Sequence, residues 1–324
     1  MFNRAPISTM IALTLASSML VACGSDSDSE VVAQTGQFSF AVSDAPVDAA
    51  DEVWACFHAI ELLGNSAGKQ VFTIGEDSNT IASNDVCVDS NGEVIANTRG
   101  INLMNFTGSA AEDLISGVEV PAGDYSQLRL VMADGSYVQV GDQRIPLSVP
   151  SNELKFDGIT VGAGGETAYT AEFDLRQALV NPVGQDQYFL KPRGVRLVNN
   201  LTVGHIEGSM AEALLIESSC TVAPADTGTA VASVYLYPGV DHVVADLADV
   251  GGSEAVEPYA VSAVYFDGAV NYQFELGYVS AGDYTLGYTC DVADDPEVDD
   301  DISLLGHQTV TVVDNGEVTT VVIE

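Results

Sequence analysis

Gln37-Phe38-Ser39-Phe40-Ala41-Val42 alternates polar and apolar side chains, and Gln127-Leu128-Arg129-Leu130-Val131-Met132 does the same further along. A period of two sends successive side chains to opposite faces of a strand, so one face of each stretch is built to be buried. Tyr169 to Phe173, Val231 to Tyr237, Val261 to Phe266, Tyr284 to Tyr288 and Thr309 to Val313 have the same texture, with Gly, Asp, Asn and Pro clusters between them. Short period-two runs with frequent turn signals predict an all-β fold of sandwiches or barrels. Helical texture is confined to Ala110–Ile115 and Asp174–Leu179. Asp314-Asn315-Gly316 separates two Val/Thr runs and predicts a terminal hairpin, because Asn-Gly favours the left-handed backbone of a tight turn.

Outward from these strands, the N-terminus has the order of an export signal: Arg4 for charge, Ile7 to Val21 for a short apolar core, then Leu20-Val21-Ala22-Cys23. About 15 apolar residues relieved by Ser and Thr are too few for a spanning helix, which needs ~20. The ending is a lipobox, so Cys23 is expected to carry acyl chains, palmitate among them, and residues 1–22 to be a lipoprotein signal peptide. Residues 23–35 then read as the lipidated Cys followed by an acidic, Ser-rich tether too polar to bury apolar area. Gly24 is unlike an inner-membrane retention signal, which points to an outer-membrane lipoprotein facing the periplasm or the outside. Two or more acyl chains suffice for a stable anchor.

The chain of 324 residues has 47 acids against 10 bases, and from Leu201 onward it has no Lys or Arg. Such a charge excludes nucleic acid and anionic lipid headgroups as partners, since both need a cationic surface. Salt or divalent cations must screen the self-repulsion. Beyond Cys23 there are four cysteines. An exported chain oxidises them, and a domain boundary at Asn199-Asn200 divides them into Cys56–Cys87 and Cys220–Cys290, one staple for residues 36–199 and one for 200–324.

No HExxH, no GxSxG elbow and no phosphate-cradling Gly-rich loop occurs, and His58, His205, His242 and His307 lack metal-ligand spacing. The chain therefore reads as a non-enzyme with no catalytic residues. Asp291, Asp294, Asp295, Glu297, Asp299, Asp300 and Asp301 crowd one loop behind Cys290. Calcium takes six to eight hard oxygens, so this loop is either a calcium site or a solvated acidic loop; its spacing is not that of an EF-hand. Asp44, Asp48, Asp51 and Glu52 form a second group, with a turn in which Asp44 caps nearby amides as the alternative to metal. Asp174 and Arg176, and the neighbouring cations Lys191 and Arg193, are expected to form ion pairs inside residues 36–199. Tyr235 and Tyr237 alternate with Val234 and Leu236, so one of the two sets is expected in the core. Trp54 is expected in the core or on the first disulfide.

Val120-Pro121-Ala122-Gly123-Asp124-Tyr125 and Val279-Ser280-Ala281-Gly282-Asp283-Tyr284 share Ala-Gly-Asp-Tyr before a strand, which suggests two related modules. Residues 36–199 resemble the bacterial domain-of-unknown-function family 4382 of exported lipoproteins. The resemblance rests on Val42-Ser43-Asp44-Ala45-Pro46-Val47-Asp48, Ala59-Ile60-Glu61-Leu62, Ile101-Asn102-Leu103, the Val120–Tyr125 motif, Phe173-Asp174-Leu175-Arg176 and Leu190-Lys191-Pro192. It implies a β-sandwich without an established activity. Residues 201–324 are similar to carboxypeptidase-regulatory or prealbumin-like sandwiches in Gly204-His205-Ile206-Glu207-Gly208, Val234-Tyr235-Leu236-Tyr237 and Ala281-Gly282-Asp283-Tyr284-Thr285-Leu286. The whole is expected to be two tandem sandwiches, Ig-like or prealbumin-like, on a lipid anchor. It would bind a glycan or an envelope protein, or serve as a structural part of the envelope or matrix.

Overall fold

A computed structural model describes residues 34–45, 50–300 and 302–324, so Cys23, the signal and most of the tether lie outside the described residues. Gln34–Glu324 is one compact unit. Its strands fall into three sheets, and the sheet boundary lies between strands Val195–Asn199 and Val203–Met210.

The strands from Thr35 to Asn199 build two sheets around one core. The four-stranded sheet runs Val195–Asn199, Glu166–Asp174, Thr35–Ala45, Glu112–Pro121. Its two central strands are parallel, with Phe38 beside Thr167 and Ser43 beside Glu172. The nine-stranded sheet is centred on the long strand Glu52–Leu63, flanked by Tyr137–Val140 and Gly123–Met132. Phe38, Phe40, Phe173 and Val42 from one sheet meet Phe57, Ile60, Leu128 and Leu130 from the other in a single buried cluster. Phe57 and Phe173 touch edge to face at 6.2 Å across it. This is the packing that the alternation demands, since each strand hides its apolar face against the opposing sheet.

Residues 203–323 form one seven-stranded sheet in the order Gly306–Val312, Gly282–Thr289, Ala230–Pro238, Ala260–Phe266, Tyr272–Ser280, Val203–Met210, Val318–Ile323. The sheet curls over a core that includes Val234, Leu236, Phe274 and Leu286. Its two end strands meet, with Thr319 Oγ1 donating to Thr311 O at 3.1 Å. The expected terminal hairpin is therefore not a ladder: Val318–Ile323 pairs in parallel with Val203–Met210 instead. Asn315 takes φ 61° and Gly316 φ 71°, as a tight turn requires, but the turn carries the chain across the open edge of the curl.

The repeated Ala-Gly-Asp-Tyr does the same job twice. Tyr125 donates its hydroxyl to Pro121 O at 2.8 Å, and Tyr284 to Ser280 O at 2.7 Å. Asp124 accepts from Thr160 Oγ1 on the next strand at 2.7 Å, and Asp283 accepts from Thr311 Oγ1 at 2.6 Å. Each Tyr thus locks a strand-to-strand corner from the core while each Asp locks it from the rim. The disulfides are Cys56–Cys87 and Cys220–Cys290.

Two aromatic expectations change. Trp54 is only partly buried, donates Nε1 to Glu52 Oε2 at 2.7 Å and stacks on Tyr137 rather than on the disulfide. Tyr235 and Tyr237 are buried, and so are Val234 and Leu236. The strand Ala230–Pro238 is covered on both faces because Leu247 and Val250 fold back over the tyrosines.

The four-stranded sheet also turns polar side chains toward the C-terminal sheet. Thr170, Glu172 and Asp174 alternate with the core residues Ala171 and Phe173. Asp174 caps the short helix Leu175–Ala178 and accepts from Val261 N at 3.2 Å. Arg196 donates to Tyr259 O at 2.7 Å, lies 3.9 Å from Asp174 and covers the Tyr259 ring. The expected partner of Asp174, Arg176, is replaced in this role by Arg196. Tyr278, at a positive φ of 49°, donates to Ser109 O at 3.1 Å, and a Cβ on Gly277 would lie 1.9 Å from Gly108 O. The two groups of sheets therefore share a close, polar seam.

Candidate metal centre

Asp249 lies in the segment Leu247–Val250 that covers Tyr235 and Tyr237. It is 6% exposed, and its Oδ2 accepts from Asp300 N at 2.8 Å. Asp294 Oδ2 accepts from Tyr235 Oη at 2.6 Å and from Val250 N at 3.1 Å. One oxygen each of Asp249, Asp294 and Asp300 come within 4.8 Å of one another, and so do oxygens of Asp249, Glu254 and Asp299. Asp249 Oδ1 and Asp294 Oδ1 are buried and have no hydrogen-bond partner. Such orphaned oxygens are costly, because each has lost its water without a replacement donor.

Two glycines make room for the cluster. A Cβ on Gly252 would stand 2.2 Å from Asp249 Oδ1 and 2.8 Å from Glu254 Oε2. Gly251, at φ 95°, lets the chain pass under Pro296 and Val298, whose carbonyl oxygens would lie about 3 Å from an added Cβ. Burial first, then Asp294, raises the Asp249 pKa to about 6. Burial likewise raises Asp294, while its bonds from Tyr235 and Val250 and the charge of Arg176 pull the other way. Tyr235 is pushed far up by burial and by Asp294, so it remains a donor. Carboxylates that resist ionisation for lack of a counter-charge are what a divalent cation reverses. The donors are all hard oxygens, which suits calcium and offers nothing to a thiolate- or imidazole-seeking metal.

Of the seven acids of the crowded loop, Asp294, Asp299 and Asp300 converge on this point. Asp291 and Asp295 close local turns by accepting from Ala293 N and Glu297 N. Glu297 pairs with Arg193 at 3.0 Å. Asp301 lies outside the described residues. Asp249 and Glu254, which complete the cluster, come from a segment about 45 residues earlier, and only the Asp-Val-Gly-Gly-Ser-Glu run hints at them. In the second acidic group, Asp48 is outside the described residues. Asp44 is fully buried at the end of its strand, where burial and the charges of Glu172 and Asp174 raise its pKa while the nearby amides of Ala45 and Leu175 oppose the rise. Lys191 sits over the Phe189 ring, and Arg193 pairs with Glu297 of the C-terminal sheet rather than with an acid of residues 36–199.

The N-terminal sheets match a known family over residues 35–192. The matching model is DUF4382, described as a domain of unknown function. The match covers the strands from Thr35 to Leu190, including buried Asp44 and Asp174. No curated protein matches the chain. Among solved structures, a candidate adhesin from Bacteroides ovatus aligns at 9% identity over 95% of each chain, with a TM-score of 0.22. A candidate cell adhesion protein from Parabacteroides distasonis aligns at 11% identity over 86% of this chain and 82% of its own, with a TM-score of 0.17. The major pilin of Streptococcus pyogenes aligns at 9% identity over 90% and 98%, again with a TM-score of 0.17.

Proposed function

We propose that the protein is an exported, lipid-anchored envelope component that binds a partner without transforming it, and that its C-terminal sheet holds calcium between Asp249, Glu254, Asp294, Asp299 and Asp300. The observation that carries the metal reading is the pair of buried, partnerless oxygens, Asp249 Oδ1 and Asp294 Oδ1, inside a ring of carboxylates. The lipobox ending at Cys23, two disulfides and the acidic charge support export. Two sandwiching groups of strands would carry the binding surface at the end of the tether, with a glycan or an envelope protein as the partner class.

Calcium at about a hundredfold excess over its dissociation constant stabilises a folded chain by ~2.7 kcal/mol, on the order of 5 °C in melting temperature for a chain of this size. The wild type should show that rise in millimolar calcium and lose it with chelator. Asp249→Asn and Asp294→Asn should abolish it, while Asp291→Asn, which touches only a local turn, should keep it. A wild-type melting curve indifferent to calcium would contradict the metal reading. The partner is tested with a Cys23→Ser soluble form on a glycan array, with and without calcium. Calcium-dependent spots are expected, and a blank array under both conditions would favour a structural part in the envelope.

A further inference from the structure

Arg193 belongs to the turn Pro192–Gly194 that ends the N-terminal strands, yet its guanidinium lies on the acidic loop of the C-terminal sheet. It donates to Pro296 O and to Glu297 Oε1, the latter at 3.0 Å. Pro296 and Glu297 stand between Asp294 and Asp299, the outer ligands of the calcium cluster. Arg176, on the helix Leu175–Ala178 of the same N-terminal part, contributes its charge to the environment of Asp294 and of Tyr235. Chain from the N-terminal sheets therefore holds the metal loop from outside while Asp249 holds it from inside.

We infer that calcium regulates the seam between the two groups of sheets, with Arg193 as the positioning residue that transmits occupancy. This rests on the calcium reading above. Calcium draws Asp294 and Asp300 onto Asp249, and that fixes the Pro296 carbonyl and Glu297 carboxylate at the positions Arg193 grips. Without the ion, carboxylates at one point repel, and a loop under that repulsion gives the guanidinium no fixed acceptor. The coupling is reciprocal: whatever factor calcium adds to the grip of Arg193, Arg193 adds to the affinity for calcium. A partly exposed charged contact is modest, so the factor is set at about fivefold, the low end of allosteric couplings.

The test combines calorimetric calcium titration with hydrogen exchange on the full chain. Exchange is read at Gly194 and Val195, whose amides donate to Lys191 O and Pro192 O, and at Val261, which donates to Asp174 across the seam. Wild type should bind calcium and, on binding, slow exchange at all three. Arg193→Ala should bind about fivefold more weakly, with slowed exchange confined to residues 249–254 and 294–300. Glu297→Gln, which leaves every proposed ligand in place, should weaken calcium in the same direction, and Arg193→Lys should recover part of the affinity. Calcium binding with unchanged exchange at 194, 195 and 261, or equal affinity in wild type and Arg193→Ala, overturns the seam inference and leaves the metal site standing. Absence of any binding heat in wild type overturns both.

Discussion

Replacing Glu172 with glutamine should remove about 4 kcal/mol from a fall in stability that the wild type suffers between pH 4.5 and pH 8. Glu172 sits on the parallel strand pair of the four-stranded sheet and is 1% exposed. Ser43, on the paired strand, lies 2.7 Å from Ala110 O, and its hydroxyl opposes the rise in the Glu172 pKa. Burial raises the Glu172 pKa from 4.5 to about 8, with Arg196 opposing the shift and Asp174 adding to it. Asp44 on the neighbouring strand and Tyr278 across the seam complete its electrostatic surroundings.

The sign follows from which state lets go of the proton first. Between the two values the unfolded chain has released it and the folded chain has kept it, so stability falls as pH rises. Below pH 4.5 both states are protonated and the stabilising contribution is complete. Above pH 8 both are ionised and it is gone. Each pKa unit is ~1.4 kcal/mol, so the fall is on the order of 4 kcal/mol for this group alone. Asp44 and Asp174, whose pKa values burial also raises, act in the same direction. Urea unfolding at pH 5, 7 and 8.5 in chelator reads the slope directly. Glu172→Gln should fall less steeply than wild type by about 4 kcal/mol over this range, with the remaining slope carried by Asp44 and Asp174. Parallel slopes for the two proteins would mean that Glu172 is solvated or paired in solution.

These buried carboxylates also mark how far a sequence can be read. Alternation finds the strands because burial of one face is a local instruction: Phe38 and Phe40 carry it without reference to anything distant. The disulfides are legible because dividing the chain at Asn199-Asn200, where one set of sheets gives way to the next, leaves two cysteines on each side. The two Ala-Gly-Asp-Tyr corners are legible because Tyr and Asp act on chain close by. Alternation also says that Glu172 faces away from Phe173, but it cannot say that the C-terminal sheet covers that face. Asp249 joins Asp294 only because Leu247 and Val250 fold over Tyr235 and Tyr237, a contact between loops that no period encodes. The terminal strand misled for a related reason. Asn315-Gly316 specifies a tight turn, whereas the choice of ladder partner is settled by the curl of the whole sheet.

Removing the Cys220–Cys290 staple should be the most damaging change to the C-terminal sheet and should weaken calcium binding with it. The bond spans a sequence separation of 70, for which chain entropy gives about 4 kcal/mol. Cys220 follows the helix Glu212–Glu217, whose Leu215 is fully buried, and Leu215 O accepts the Cys220 amide at 2.8 Å. Cys290 follows the strand Gly282–Thr289 and immediately precedes the acidic loop. The disulfide thus anchors one end of that loop to a docked helix, while Asp249 and Arg193 hold its far part. A Cys220→Ala/Cys290→Ala chain should unfold in urea with a free energy lower by about 4 kcal/mol, and calcium should bind more weakly because the loop must first be ordered. Cys56→Ala/Cys87→Ala removes a bond of sequence separation 31, worth somewhat less by the same arithmetic, and should leave calcium affinity unchanged. The contrast separates a local anchor from general destabilisation. If both double variants weakened calcium equally, the loop would be responding to overall stability, and if neither did, Cys290 would not be holding the ligands in place. Partial reduction gives an independent reading. Cys56 and Cys87 are fully buried, whereas Cys220 and Cys290 are partly exposed, so a mild thiol should open the second bond first and calcium should slow that opening.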